Sequence, residues 1–564
     1  MQFPTQCLGE DLYKRKKEEA MKAFIVALIS AFWQLFGSHG VRVALIQPVP
    51  RLRSKSLGIF KSPESIQALA GQLEAFGYNV RMYHSSTGWG MMIRLLLFNP
   101  NVVGVSTMTP NFLEGKRIAQ LLKLWRPRLP IVLGGWHASG AIQAHLHGQE
   151  SESLGEILNP NSPFDYVVAG EGEEIFPRLI ASLLAGKEVE AEPGVSIFRN
   201  GEIQVGGSTP RITNLREIAE PSWSGLKIKR YRDKRSGALD LSVHFNRSCR
   251  FQCAFCSTPT VYGHGVRVTP ALQAFAYLKS VVVTHRPQVI TFTDEDFFAH
   301  MSWVEELVSL LETDNLAKQF GVSFDTFASI NDIHRLRKAG KGYFLDRMRA
   351  VGFGSFTIGV ESFNPNILLA YNKEMMILPT MSREERGTYT GLDNDQKKRA
   401  LVTHYRKRTQ EAINFASEHG LLVVGDYILG NLGESVEDVR AGFEIFKNLE
   451  NLLLAYIPVF TPFPGTKIWG DAYSSGLLPR NPDGNIDWMR FNASAGALNL
   501  GYDIGALRNE LEIEFYTSSR YRRDMLKNLE STPALRGLFV GRFSYLGRLF
   551  PGDVRVREMI QLLG

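Results

Sequence analysis

From Val41 onward, short apolar runs alternate with helical patterns in two successive series. This alternation prescribes parallel α/β structure. In the first series Val41–Ile46 reads as a strand, followed by a helix from Ser62 to Phe76 with Pro63 in its first turn and Gly77 closing it. Val80–Tyr83, Asn101–Ser106, Ile131–Gly134 and Tyr166–Ala169 read as further strands. A helix over Phe112–Trp125 leads into the fourth strand, and another starts near Glu174. About five βα units make a doubly wound domain, expected over residues 41–185.

Residues 186–238 lose the helical period and gain Pro, Gly, Ser and charge, as a connector with short strands would. A second α/β series spans 239–469, with strands expected at Leu239–His244, Val289–Ile290–Thr291–Phe292, Val322–Phe324, Ser355–Gly359, Leu422–Gly425 and Leu454–Ile457. Repeated βα units closing as a full or partial barrel fit it best. Residues 374–408 are polar and crowded with Lys, Arg, Asp and Thr, too long for a routine connection, so a lid or a disordered insertion is expected there. Residues 470–564 read as mostly helical, and the arginines of 520–548 fit a solvated helical face better than a nucleic-acid site.

The 564 residues exceed one ordinary core, so two or three domains are expected. A net charge of +7 is compatible with an anionic substrate, nucleic acid or a membrane surface and selects none of them. Four cysteines, three of them clustered, argue against a secreted disulfide scaffold and for a reducing, cytoplasmic setting. In segment 1–40, Lys14–Lys17 precede an apolar run from Ala23 to Phe36 that is interrupted by Ser30 and Gln34. That run is shorter than the ~20 residues a bilayer span requires, so a docked amphipathic helix is expected, with a membrane-surface anchor as the rival.

The three clustered cysteines form Cys249-Arg-Phe-Gln-Cys253-Ala-Phe-Cys256, on a loop just after an expected strand. Three thiolates at these spacings can converge on one metal centre. A structural zinc site wants four ligands, and neither His244 nor His264 completes a finger or ribbon spacing. A cubane cluster usually takes four cysteines, so three leave one iron open to a substrate or cofactor.

The Cys-x3-Cys-x2-Cys motif, with an aromatic before its last cysteine, resembles the signature of the radical S-adenosylmethionine superfamily. The resemblance implies a [4Fe–4S] cluster on Cys249, Cys253 and Cys256 whose open iron chelates S-adenosylmethionine, and reductive cleavage to a 5′-deoxyadenosyl radical. It also implies that Phe255 packs by the adenine. Asp294 and Asp296 sit in a segment similar to the family's F-x-D-D/E-x-F stretch, where each is either a cofactor contact or a helix N-cap. Ile358-Gly-Val-Glu361-Ser362 matches the G-V-E-S strand end, which makes Glu361 a candidate cofactor contact. Ile428–Glu434 resembles I-x-G-x-P-G-E with Leu432 in place of proline, and Thr461–Thr466 matches the T-P-x-P-G-T turn, read as structural.

The first series ends its strands in Ser106-Thr107, Gly134-Gly135-Trp136-His137 and Gly170-Glu171-Gly172-Glu173. Glycines allow close backbone approach to a flat ligand, and hydroxyls can bond its polar substituents. No G-x-G-x-x-G follows the first strand, which argues against a nicotinamide cofactor. The arrangement resembles the cobalamin-binding domain that precedes the radical domain in one branch of the superfamily. On that resemblance Ser106, Thr107, Gly134, Gly135, His137, Gly170 and Glu171 are candidate cobalamin contacts, with His137 equally well explained as a local hydrogen bonder. The D-x-H-x-x-G motif that supplies an axial histidine in cobalamin mutases is absent.

The expected function is a cobalamin-dependent radical enzyme that methylates or rearranges an unactivated carbon of a small molecule, with a lipid or tetrapyrrole as candidate substrates. An external flavodoxin- or ferredoxin-type electron donor, peripheral membrane contact and no nucleic-acid partner complete that expectation. Two rivals stand beside it. One is a radical enzyme whose first domain only docks substrate or partner; the other is a non-enzymatic zinc module that binds nucleic acid.

Overall fold

The computed structural model describes residues 40–49, 61–86, 88–233, 237–492, 496–531 and 535–563. The segment expected as a basic N-terminal helix lies outside the described residues.

The first sheet is built from β1 (Arg42–Pro48), β2 (Asn79–Ser85), β3 (Val102–Ser106), β4 (Ile131–Gly134), β5 (Tyr166–Val168), β6 (Val195–Arg199) and β7 (Glu202–Gln204). Their spatial order is β2-β1-β3-β4-β5-β6-β7. β1 to β5 pair in parallel, while β5–β6 and β6–β7 are antiparallel. The order reverses at β1, the switch point typical of a doubly wound sheet. Apolar runs such as Val43–Ile46 and Val102–Val105 are buried on both faces, as parallel strands between helices must be.

The stretch expected as a connector therefore donates two strands to this sheet. Asn200 (φ 53°) and Gly201 (φ 85°) both occupy the left-handed region, and an Asn-Gly pair adopts that conformation readily in a two-residue hairpin. Two helices absent from the sequence reading also belong here, Trp89–Phe98 and Trp136–Leu146.

β8 (Asp240–Val243), β9 (Asn246–Arg247), β10 (Arg267–Val268), β11 (Val289–Phe292), β12 (Ser323–Ala328), β13 (Phe353–Glu361), β14 (Leu422–Tyr427) and β15 (Leu454–Tyr456) follow. Six of them form a parallel sheet in the order β15-β14-β13-β12-β11-β8, an open, partial barrel. β9 and β10 make a separate antiparallel pair that brackets the cysteine loop.

Residues 374–408, expected as a lid or a disordered insertion, are helical and packed on the barrel. Short helices over Glu374–Ile377 and Arg383–Thr390 lead into one long helix, Asn394–Glu418, with Asp393 as its N-cap. Leu401, Tyr405, Ala412, Ile413 and Ala416 are buried on one face of that helix. The Tyr405 hydroxyl donates to the Val360 carbonyl of β13 at 2.9 Å. The segment is the crossover that carries the chain from β13 to β14, and its Lys and Arg residues are the solvated side of that helix.

One hydrophobic cluster crosses between the two sheets. It unites Phe112, Ala138 and Ile142 with Tyr371, Phe460, Ile468 and Trp469. At this seam Trp469 Nε1 donates to Glu150 at 3.2 Å and Trp488 Nε1 to Glu156 at 2.7 Å, while the two indoles stack 5.7 Å apart. The Thr461–Thr466 turn lies against the helix Trp136–Leu146, close enough that a Cβ on Gly140 would stand 2.4 Å from the Pro464 carbonyl oxygen. Helices close the chain: Ile504–Thr517, Ser519–Ser531, Arg536–Leu549 and Val554–Leu563. Among the described residues no helix is long and apolar enough to cross a membrane.

Candidate functional site

The cysteine loop leaves the C-terminal end of β8 through β9. Ser248, immediately before Cys249, has φ 75°, and its hydroxyl donates to the Gly263 carbonyl at 2.6 Å. A serine in the left-handed region persists only where its surroundings hold it, here at the entry to the loop. Arg250 fixes the loop from inside. Its guanidinium donates to Asp296 at 2.7 and 2.8 Å and to Asp332 at 2.7 Å, while its own amide donates to Asp296 at 3.1 Å. The Ala254 amide donates to the Tyr371 carbonyl at 3.2 Å, and the Ala254 carbonyl accepts from Ile468 at 3.3 Å. The loop is thus pinned from β11, β13 and the C-terminal seam together.

Burial pushes all three thiols above the ordinary thiol range, because a thiolate is poorly solvated there. A cationic cluster would supply the missing compensation. Cys249 Sγ lies 3.8 Å from Asp296, and Cys256 Sγ lies 3.2 Å from the Thr258 hydroxyl. Cys249, Cys253 and Cys256 offer three thiolates on one loop, with no fourth cysteine in the motif. A cubane distributes its thiolates over separate irons, so this donor set suits a cluster better than one zinc ion.

Asp294 and Asp296 were candidates for cofactor contact, and the structure gives both other partners. Asp294 is fully buried and accepts from the amides of Phe245, just before β9, and Asn246, its first residue. Burial pushes its carboxyl up to about 7 against the opposing pull of His244 and those amides. Asp296 is engaged by Arg250. Both aspartates shape the loop's approach from β11.

Glu361 ends β13 at a register shift, with φ 64°. Its carboxylate accepts from the Lys373 ammonium at 3.1 Å, and Lys373 also lies 5.6 Å over the Phe255 ring. Phe255 packs on Tyr371 with ring centroids 4.4 Å apart. Strain, a buried ion pair and two aromatic rings therefore meet beside Cys253. Sequence reasoning singled out Glu361 and Phe255 and passed over their neighbours Lys373 and Tyr371, since nothing in a lone lysine after a helix marks it.

A cavity of about 1530 Å³ lies between the two sheets. Ser106, Gly134, Gly135, Gly170 and Glu171 line it from the C-terminal ends of β3, β4 and β5. His244, Thr293 and Glu295 line it from the ends of β8 and β11. Gly135 sits at φ 89°, and a Cβ there would stand 2.7 Å from the Thr107 carbonyl, so the flat approach at β4 depends on glycine. Glycine-lined strand ends facing this volume fit a large planar ligand.

Two cobalamin candidates do not face that space. His137 is fully buried, stacked 4.1 Å from Phe112 and edge-on to Trp488 at 4.8 Å, with Nδ1 3.2 Å from the Thr109 hydroxyl. Burial pushes its pKa down to about 3, as for a neutral core imidazole that bonds locally. Thr107 is buried as well and lies outside the cavity wall. Glu171 does line the wall, but its carboxylate is held by Arg247 and Arg267, each at 2.6 Å.

His244 is a cavity-facing group that the sequence reading left aside. Its Nε2 lies 2.9 Å from Glu295. Burial alone would lower its pKa, but Glu295, Asp294 and Glu64 together raise it to about 10, so the ring is an imidazolium at neutral pH.

Two open sheets whose parallel strand ends face one cavity, one of them carrying a strained three-cysteine loop, suit an enzyme that pairs a metal cluster with a second large cofactor. Family models agree with this division: residues 62–180 match the B12 binding domain and residues 243–444 match the radical SAM superfamily. The chain belongs to the radical S-adenosylmethionine superfamily, in the branch with an N-terminal B12-binding domain. A [4Fe–4S] cluster, S-adenosylmethionine and cobalamin are the cofactors of that class.

Among similar proteins, an uncharacterized methyltransferase from Pyrococcus horikoshii is 24% identical over 74% of this chain and 79% of its own length. Hopanoid C-3 methylase from Methylococcus capsulatus is 24% identical over 76% of this chain and 72% of its own. Bacteriochlorophyllide d C-8(2)-methyltransferase from Chlorobaculum tepidum is 21% identical over 70% and 72%. In fold the chain resembles the cobalamin-dependent radical enzyme OxsB, with a TM-score of 0.58 at 13% identity over 93% of this chain and 78% of that one.

Proposed function

We propose that this enzyme transfers a methyl group to an unactivated carbon of an apolar small molecule. The observation that carries the reading is the single cavity, lined from one side by the strand ends of the B12-binding domain and from the other by the mouth of the barrel. Its volume exceeds the usual range of about 300–1,000 Å³ for a small-molecule site, as a shared chamber for a large cofactor and a substrate requires. Methylases of hopanoids and bacteriochlorophyllides among the relatives point to a fused-ring or isoprenoid substrate.

In this reading Cys249, Cys253 and Cys256 hold the cluster, and Phe255, Tyr371 and Glu361 bound the pocket for S-adenosylmethionine. Ser106, Gly134, Gly135 and Gly170 form the bed for the corrin. When bound, these cofactors supply a reducing electron, a 5′-deoxyadenosyl radical and the methyl group. The chain's own work is positional. Arg250 holds the loop, the Lys373–Glu361 pair keeps a charge beside Cys253 without bulk water, and the glycines admit the flat ligand. An external one-electron donor, a cytoplasmic location and peripheral contact with a membrane that holds the substrate complete the proposal.

Incubation of the anaerobically reconstituted protein with a methyl-deuterated S-adenosylmethionine and candidate isoprenoid or tetrapyrrole extracts tests it. A product heavier by one labelled methyl group is expected. Retention of corrin through gel filtration with a ring-closed or rearranged product instead would favour the cyclase reading, for which a magnesium-protoporphyrin IX monomethyl ester cyclase from Rubrivivax gelatinosus is a precedent among the relatives.

A further inference from the structure

Gly170-Glu171-Gly172-Glu173 closes β5 of the B12-binding domain, yet both glutamates reach across to the barrel. Arg247 bridges them, with Nη1 2.6 Å from Glu171 Oε1 and Nη2 2.6 Å from Glu173 Oε1. Arg267 Nη1 lies 2.6 Å from the other Glu171 oxygen, Oε2. Arg247 and Arg267 are cross-strand neighbours in the β9–β10 pair. In sequence they bracket the cysteine loop, Arg247 before Cys249 and Arg267 after Cys256. All four side chains are largely buried.

The surroundings extend this contact. The Arg247 guanidinium lies 5.9 Å from the Tyr262 ring, and Tyr262 stands edge-on to Trp136 at 5.7 Å and to His244 at 5.9 Å. Glu171 also accepts from the Ile212 amide at 3.0 Å. Glu171, Glu173, Arg247 and Tyr262 all form part of the cavity wall. A neutral set of two carboxylates and two forked guanidiniums is geometrically demanding: each bond fixes direction as well as distance. Buried pairs of this kind add little net stability and are better suited to fixing one arrangement among several.

We propose that Glu171, Glu173, Arg247 and Arg267 form an interdomain latch that sets the cysteine loop at a fixed place relative to the end of β5. They are positioning residues. Glu171, Glu173 and Arg247 stand on the cavity wall, and the Trp469–Trp488 seam joins the same two units through separate residues. Loss of the latch therefore loosens the loop without separating the sheets. Given the cofactor assignment on which this proposal partly rests, the latch fixes the separation of cluster and corrin.

Hydrogen exchange of the purified full chain tests the latch without reference to cofactor chemistry. Glu173→Gln and Arg267→Met are expected to speed exchange about tenfold or more, together, in segments 166–173 and 246–268. Arg480→Gln, which removes the exposed pair with Glu152 at the other seam, is expected to leave both segments unchanged. Arg267→Lys, which keeps the charge but not the fork, is the milder form of the same test. Parental exchange in all latch variants would overturn the proposal, as would an equal rise that includes the Trp469–Trp488 seam.

In the reconstituted enzyme, pulsed EPR between the reduced cluster and cob(II)alamin reads the separation directly. A narrow distance distribution in the parent that broadens in Glu173→Gln is expected, and an unchanged width would overturn the role assigned to the latch. A parent protein that retains no corrin would count against the proposed function, while the exchange result would still decide the latch.

Discussion

Arg250, which sits between the first two cysteines, forms one fork with Asp296 and a second bond with Asp332, buried carboxylates from the turn after β11 and the first turn of the helix after β12. The residue between the ligands is therefore what ties them to the barrel. Arg250→Ala leaves the buried Asp296 without its cation and Asp332 with only Arg335, 3.8 Å away. Breaking a buried pair costs about 3–5 kcal/mol, somewhat less here because the guanidinium is partly solvated. The expected outcome is a lowered thermal midpoint and, after reconstitution, fewer irons per chain than the parent binds. Arg250→Lys should recover part of the midpoint and less of the iron, since a point charge cannot serve two carboxylates in the same geometry.

Lys373 is buried beside Cys253 with Glu361 as its counter-ion. Burial opposes its charge, yet Cys253 and Glu361 carry its pKa above the usual lysine range. Lys373→Met should cost about 3–5 kcal/mol by stranding Glu361, read as a fall in denaturation midpoint. The double variant with Glu361→Gln should recover most of that loss, because no uncompensated charge remains. Neither variant is expected to support 5′-deoxyadenosine formation at the parental rate.

His244 makes stability depend on pH. Its folded pKa, about 10, lies above the ordinary value of 6.5 because Glu295, Asp294 and Glu64 face it. A group raised in this way contributes its full stability below pH 6.5 and loses it as pH rises through 10. The thermal midpoint is expected to fall between pH 7 and 10, and His244→Gln should flatten that slope. A parental slope in the variant would show that other groups dominate.

Gly140→Ala tests the seam between the two units. The added Cβ would meet the Pro464 carbonyl at 2.4 Å, backbone against backbone, so neither side can yield by a rotamer change. Overpacking of this kind costs about 1–3 kcal/mol. The midpoint should drop, while Gly387→Ala, inside the helix Arg383–Thr390 with nothing near its Cβ, should hold it or raise it slightly.

Much of this was legible in sequence because it is local. The strands Ile131–Gly134 and Val289–Phe292 and the helix Phe112–Trp125 have the limits that their patterns imply, and cysteine spacing needs no tertiary information. The helix Trp136–Leu146 was not legible. It is buried on nearly every side, so its small residues show no amphipathic period, and Gly140 serves a close approach that only the fold reveals. The β6–β7 hairpin had a signal, Asn200-Gly201, that deserved more weight. Residues 374–408 misled because a solvated helix face resembles an insertion when its buried positions are few. Within the site, Ser106, Gly134, Gly135 and Gly170 of the strand-end motifs lie on the cavity wall. The motifs could not show that Glu171 is committed to Arg247 or Asp296 to Arg250, pairings between residues far apart in the chain.

The central claim is that three cysteines on one pinned loop hold an iron–sulfur cluster that cleaves S-adenosylmethionine. Anaerobic reconstitution followed by iron analysis and measurement of 5′-deoxyadenosine tests it most directly. About four irons per chain are predicted, with 5′-deoxyadenosine formed only when a strong reductant is added, and both lost in Cys253→Ala. A colourless protein that holds zinc, or an iron-loaded one that yields no 5′-deoxyadenosine under reduction, would contradict the account.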